Sequence, residues 1–520
     1  MEKIIADILK ENDRRNDRLY AHFDPVTGEG SIGKRVKVHI PDFILPIQWL
    51  PDSMLAVPFV KKLIEAGSIS NFLSSVCGVP PNEADASKVA RQFLRIRYAH
   101  DFPFWCATLV RVKNKGGGDD VLFNLWYPQR KLVEMFERRR LAKQPIRLIM
   151  LKARQWGGST TTQLYMAWLQ FLHRKGLNSL IIAHQGTATD EIKDMFDRMI
   201  AAYPVEMLHP PGENYSDTEP KMVGVGKSGS IHRVPQRNCK IKIGTAERPD
   251  SCRGGDYNLV HLSEVGIWKK TDGKSPEDIV RSACSGILYR PLTMIVYEST
   301  ANGTGNFFHT EYQAAAYPDP DAKMKSQFEP IFIPWYEIEQ YSLPFSSPDE
   351  LKEFASNLWN DRESRIEHSM REESGKYLWW LWEKGATLEA INWYVHERAG
   401  KNSHAVMASE YPSDDVEAFV HSGTMVFDKY LVLQLKPACS PPRFIGEVQP
   451  VLSKAPSASG VTSSAGLSLG VNPERGLSKG VTASAGLSLG VNPERGLSKG
   501  VTASAGLSLG VNPERGLSKG

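Results

Sequence analysis

Residues 151–162, LKARQWGGSTTT, carry the side-chain and backbone types that hold a chain of phosphates. Two adjacent glycines, Gly157 and Gly158, let backbone N–H groups close around phosphate oxygens, and a helix starting there adds a favourable dipole. Ser159 or Thr160 offers a hydroxyl to magnesium. The position before that hydroxyl ordinarily carries lysine, and here it is Gly158. The cation for the β- and γ-phosphates must then come from Lys152 or Arg154, earlier in the loop. Taken alone, the segment reads equally as a strand-to-helix turn that binds nothing.

Two later segments end hydrophobic runs in a similar way. NLVHLSE, 258–264, finishes in Ser263-Glu264. Phosphoanhydride hydrolysis needs an acidic or hydroxyl group near magnesium, followed by a carboxylate that orients the attacking water. Ser263 suits the first role and Glu264 the second; the bland alternative for Glu264 is a surface acid at a strand end. In ESTANGTGNFFHTEY, 298–312, Ser299, Thr300 and Asn302 are placed to hydrogen-bond a phosphate or the catalytic water. By itself that segment is a strand-to-turn transition with Asn-Gly punctuation. All three segments lie at the C-terminal ends of predicted strands, the edge at which open α/β sheets bind ligands.

The elements that must position these groups are short apolar runs alternating with helical patterns. RLIML (147–151), SLIIAH (179–184), KIKIGT (240–245), NLVHLS (258–263) and TMIVYE (293–298) read as buried strands. TTQLYMAWLQFLHRKG reads as a helix ending at Gly176. The alternation predicts an α/β fold, a mostly parallel sheet flanked by helices, and the glycine loop at 151–162 with the strand end at 258–264 makes the expected type that of a P-loop NTPase. Residues 348–400 read as helical, with Trp379, Trp380 and Trp382 packing against the core rather than stacking on a base. The expected divisions are a partly helical N-terminal region (1–90), an ATPase core (91–345), a helical subdomain closing it (346–427), a linker (428–460) and a tail (461–520). That tail is three near-identical 20-residue units rich in Gly and Ser, expected to be disordered, with a stacked repeat as the alternative.

The chain has 520 residues, 41% hydrophobic, and a net charge of +4. Lys454 plus the one Glu, one Arg and one Lys of each repeat account for all of that charge, so residues 1–450 are near neutral and global charge is no argument for nucleic acid. The cluster Arg138, Arg139, Arg140, Lys143 and Arg147 is either a DNA-facing patch or a solvated helix end. No signal peptide or membrane span is read, which places the protein in the host cytoplasm by expectation. Six cysteines without ligand spacing imply reduced thiols.

In combination these motifs resemble the large terminase subunit of tailed phages. KARQWGGST is similar to that family's deviant Walker A loop, and Arg253-Gly254 with NLVHLSE resembles its Arg-Gly element and Walker B strand, with Ser263 where aspartate is commoner. STANG at 299–303 resembles the coupling motif, and Gln129 in YPQRKL the adenine-contacting glutamine. IIAHQ (181–185), IFIPWYE (331–337) and EYPSDDVEAFVHSGTMVF (410–427) extend the likeness, which covers roughly residues 90–427.

The resemblance implies ATP and magnesium as cofactors. Lys152 and Arg154 would meet the phosphates, with Gln155, Gly157, Gly158, Ser159 and Thr160 completing the loop and Gln129 near adenine. Ser159 and Ser263 would hold magnesium and Glu264 would be the catalytic carboxylate. Arg154, or else Arg253, would stabilise the transition state. Ser299, Thr300 and Asn302 would couple hydrolysis to movement. The implied activity is ATP-driven translocation of viral double-stranded DNA into a procapsid by a homo-oligomeric ring, with portal protein and small terminase subunit as partners and no membrane. A helicase-like translocase and a catalytically decayed assembly protein are the alternatives. The family's nuclease domain is not expected here, because after Phe427 the acidic residues are only Asp428, Glu447, Glu474, Glu494 and Glu514. A truncated or frameshifted gene, or a separate nuclease subunit, would each account for that.

Overall fold

Ile146–Lys152 (β1) is a continuous apolar run buried at every residue, as a strand covered on both faces must be. It lies inside an eight-stranded sheet in a computed structural model that describes residues 1–225, 230–248, 255–270, 275–365 and 372–421, with 502–503 and 507–508 of the tail. Along the chain follow Ser179–Ala183 (β2), Val223–Val225 (β3), Ile231–Val234 (β4), Cys239–Thr245 (β5), Leu259–Ser263 (β6), Met294–Ser299 (β7) and Glu329–Ile333 (β8). The sheet order is β8-β1-β7-β6-β2-β5-β4-β3. From β8 to β5 every pairing is parallel, while β4 is antiparallel to β5 and β3 to β4. The expected α/β architecture is therefore present. The five strands read from the sequence are all found, and β3, β4 and β8 are additional.

Side chains alternate across the sheet with the period of two that a strand imposes. Leu148, Met150, Ile181 and Val296 face one core, which Gly158–Trp168 (α1) covers with Leu164. Ile149, Leu151, Ile182 and Tyr297 face the other, covered by Pro276–Cys284 (α2) and Phe307–Ala316 (α3) through Ile279 and Phe308. Helix α1 runs on through a π-turn at Leu169–His173, and the chain reverses at Gly176 with φ +79°, where the helix was expected to end.

The N-terminal region has a small core of its own, built from Val38, Leu50, Met54, Leu63 and Phe93. The expected helices of 348–400 are Pro348–Asn360 (α4), Gly375–Lys384 (α5) and Leu388–Ala399 (α6). Trp382 is buried in the same core as β1, and Trp379 and Trp380 pack against it. Helices His404–Glu410 (α7) and Asp415–His421 (α8) follow.

Four of the five residues of the basic cluster have partners within the protein, while Lys143 is exposed. Arg138 and Arg139 both pair with Glu329, Arg140 pairs with Glu137, and Arg147 is buried with Nη1 and Nη2 donating to the carbonyls of Ile146 and Leu288. Cys77, Cys106, Cys239 and Cys284 are free thiols; Cys252 and Cys439 lie outside the described residues. Among the described residues no helix is long and apolar enough to cross a membrane. The tail expected to be disordered also lies outside them, except that Thr502–Ala503 pairs antiparallel with Leu507–Ser508.

His404 ties the last helices together. Its Nδ1 lies 2.8 Å from Glu373 and its Nε2 3.3 Å from Glu417, while Arg398 Nε donates to Glu373 at 3.3 Å. Burial favours the neutral ring, but hydrogen bonds to the two carboxylates outweigh it and push the imidazole pKa up to about 9. A raised histidine pKa contributes stability that is complete below the unfolded value and disappears as pH climbs through the folded one. Between pH 6.5 and 9 the wild type is expected to lose on the order of 2 kcal/mol relative to His404→Gln, read as urea midpoints across the range. Parallel pH profiles for the two proteins would refute this.

Candidate active site

The site forms where β1, β7 and β6, three adjacent parallel strands, reach their C-terminal ends. Period-two alternation puts Met150 and Lys152 of β1, Val296 and Glu298 of β7, and His261 and Ser263 of β6 on the α1 face. Glu298 is the register partner of Ser263 on one side and of Met150 on the other. Its side chain lies between that of Ser263 and that of Lys152, two residues beyond Met150 on the same face.

After Lys152 the chain turns through Gln155 at φ +61° and Gly157 at φ +78°, and α1 begins at Gly158. Trp156 is 1% exposed, with its indole beneath that first turn. A Cβ on Gly158 would stand 2.3 Å from the Trp156 ring, closer than any real contact. The usual lysine position therefore cannot carry a side chain while Trp156 stays where it is, and the cation has to come from elsewhere. Gln129, 3% exposed, braces the loop from below: Oε1 accepts the Trp126 N–H at 2.9 Å and Nε2 donates to the Trp156 carbonyl at 2.8 Å.

Lys152 Nζ donates to Glu264 Oε1 at 2.8 Å and lies 3.8 Å from Glu298 Oε2. Burial disfavours the ammonium, but the two carboxylates outweigh it and its pKa stands above the usual lysine value. Glu264 follows the end of β6 with φ +55°, a left-handed conformation that costs a non-glycine residue roughly 1–3 kcal/mol and recurs at active sites. Its Oε2 accepts from Thr300 N at 3.1 Å, Thr300 Oγ1 at 3.2 Å and Ser299 Oγ at 3.4 Å. Asn302 Nδ2 donates to the Gly266 carbonyl at 3.1 Å.

Glu298 is completely buried. Its Oε1 accepts from Ser159 Oγ, and from Ser263 Oγ at 2.9 Å, while His261 Nε2 stands 3.2 Å away. Burial pushes both glutamate pKa values up, but Lys152 offsets this and each carboxyl is held below the usual range, Glu298 with help from His261. Both are anions at neutral pH.

Lys152, Ser159, Ser263, Glu264, Ser299 and Thr300 therefore meet, and Asn302 is tied one step away through Gly266. Arg154 and Gln155 sit exposed on the loop crest; among the described residues Arg154 makes no ion pair, and the Gln155 carbonyl accepts from Lys115 at 3.2 Å. Thr160 lies in the first turn of α1 without a bond to this cluster. Arg253-Gly254 lies outside the described residues, as does 422–427 at the end of the closing segment. Sequence reasoning missed Glu298, His261 and Trp156. The signal for Glu298 was its place at the end of a strand beside one that ends in serine instead of aspartate.

No family's sequence profile matches the chain, and no curated protein matches it. Among solved structures, it is similar to phage large terminases. The Thermus phage P74-26 large terminase ATPase domain is 16% identical over 52% of this chain and 88% of that one, with a TM-score of 0.29. A single-substitution variant of the same domain gives 17%, 38%, 80% and 0.26. The HK97 bacteriophage large terminase is 12% identical over 50% of this chain and 52% of its own, with a TM-score of 0.35. Likenesses this remote say nothing about individual residues.

The Trp156–Gly158 contact has a direct test. Gly158→Ala is expected to lower stability by about 1–3 kcal/mol in urea unfolding, the usual cost of overpacking, and to cost much less in a Trp156→Ala background. Equal costs in both backgrounds would show that the indole does not dictate the glycine.

Proposed function

We propose that this chain is an ATP hydrolase of the DNA-packaging type, a large-terminase-like motor driving viral double-stranded DNA into a procapsid. The observation that supports it most is the meeting of Lys152, Ser159, Ser263 and Glu264 beside a glycine loop at the C-terminal edge of a parallel sheet. Amide groups at 157–160 and the α1 dipole suit the phosphates of ATP, with Gln155 lending its backbone to the approach. A γ-phosphate brought to Lys152 competes with Glu264 Oε1 for the ammonium. The carboxylate so released is the group that orients water for attack. Arg154, exposed and without an ion pair among the described residues, is the mobile cation for the phosphates or the transition state. Gln129 keeps one Nε2 hydrogen for adenine.

Magnesium, when bound, neutralises charge on the β- and γ-phosphate oxygens. Ser159 and Ser263 fit it: their hydroxyls converge on one carboxylate oxygen, Glu298 Oε1, and oxygen donors suit a hard cation. The remaining terms of the proposal are a homo-oligomeric ring at the capsid portal and a small-subunit partner.

In steady-state ATPase assays Glu264→Gln is expected to lower kcat by about 100- to 10,000-fold while nucleotide still binds. Equal rates in the two proteins would remove Glu264 from catalysis. Absence of nucleotide binding in calorimetry would favour the decayed assembly protein instead.

A further inference from the structure

We propose that Glu298, from the strand next to Ser263, supplies the metal-holding carboxylate of this site, binding the divalent cation together with the hydroxyls of Ser159 and Ser263. The inference rests on the nucleotide reading above. A serine at the end of β6 brings no negative charge, yet a hard cation beside a triphosphate is normally held through one or two carboxylates, with phosphate and water oxygens filling the rest of its octahedron. Register resolves the deficit. Ser263 and Glu298 sit side by side in parallel strands about 4.8 Å apart and point to the same face. The longer glutamate side chain brings Oε1 within 2.9 Å of Ser263 Oγ and within hydrogen-bond reach of Ser159 Oγ, at the first turn of α1.

The second carboxylate oxygen points the same way. Glu298 Oε2 is fully buried and accepts no hydrogen bond, its nearest charged neighbour being Lys152 Nζ at 3.8 Å. A buried anionic oxygen with no donor is costly. Lys152 also carries Glu264 at 2.8 Å, so one ammonium faces two carboxylates. His261 Nδ1 lies 3.3 Å from Gln163 Nε2, and its Nε2, which makes no hydrogen bond, stands 3.2 Å from Glu298 Oε1, so a second buried polar atom beside the carboxylate is also left unanswered. Among the described residues no cluster of three His, Cys, Asp or Glu could hold a metal by itself. The site thus calls for a cation delivered with nucleotide, not for a resident metal. A purely structural role, in which Glu298 only neutralises Lys152, is the competing account.

Manganese separates the two. With the full chain and a non-hydrolysable ATP analogue, loss of the free Mn²⁺ electron paramagnetic resonance signal reports metal binding, and calorimetry without metal reports the analogue alone. Glu298→Gln is expected to weaken Mn²⁺ binding by about 10- to 100-fold and not to weaken metal-free analogue binding, since it removes a carboxylate that competes with the triphosphate for Lys152. Adding Ser263→Asp to Glu298→Gln is expected to restore Mn²⁺ binding, because it returns the carboxylate to the neighbouring strand. If Glu298→Gln does not fold, Glu298→Asp decides: it keeps the anion beside Lys152 but withdraws it by one methylene, and weaker Mn²⁺ binding is expected. Unchanged Mn²⁺ affinity in the variant that decides, with analogue bound, overturns the assignment and leaves the nucleotide reading standing. Failure of the wild type to bind analogue overturns both.

Discussion

The ammonium of Lys152 sits at the end of a strand buried at every residue, and a cation so placed must be answered by anions close at hand. Two glutamates answer it, each reaching it by a different route. Glu298 stays within β7, where register sets it beside Ser263 and Met150, and its side chain comes within 3.8 Å of Lys152, two residues beyond Met150 on the same face. Glu264 lies one residue past β6 and bends back through a left-handed backbone to bring Oε1 to the same nitrogen. The order β1-β7-β6 is what makes this possible. Were β6 and β7 exchanged, Ser263 rather than Glu298 would stand next to β1, and the buried carboxylate would be moved one strand away from Lys152.

That lysine lies early in the loop because of an aromatic side chain. In a loop whose glycines leave an open cradle, the residue before the hydroxyl has room for a lysine. Here Trp156 fills that space from beneath, and the tight approach at Gly158 follows from it. Gln129 fixes the indole's own peptide, so the brace, the tryptophan, the bare glycine and the displaced lysine form one set of mutually dependent choices. Altering one member changes what the others must be.

The parts legible in the sequence were those governed by local periodicity. Five strands, a helix after the glycine loop that stops at His173, three residues before the expected end at Gly176, and the placement of Lys152 and Glu264 at strand ends with Ser159 at the helix start follow from apolar runs and glycine punctuation. What escaped depended on register. Glu298 was visible as a residue but not as a neighbour of Ser263, because which strand lies beside which is a property of the whole sheet. For the same reason β8 went unread, since Glu329 and Pro330 begin it with two residues that weaken the strand pattern. Arg138 and Arg139 resembled a basic patch until Glu329, far along the chain, was brought against them. Trp156 looked like one more loop residue, as its burial beneath a helix start has no sequence period.

On the proposed reading, the two oxygens of Glu264 give hydrolysis a way to move something. Oε1 faces Lys152, the side that a phosphate would approach, and Oε2 faces Thr300 and Ser299. A carboxylate that swings to orient water for attack cannot keep all four contacts, so the nucleotide's state and the seating of 299–300 are thermodynamically linked through one side chain. Beyond Thr300, Asn302 holds the Gly266 carbonyl, Asn306 Nδ2 donates to the carbonyls of Asn302 and Gly303, and the Asn306 side chain caps α3 through His309 N. Helix α3 in turn packs Phe308 into the second core. The path from Lys152 to that core is therefore short and made of hydrogen bonds with few alternatives. Such a path transmits a discrete rearrangement better than a graded one, because each bond is either made or replaced.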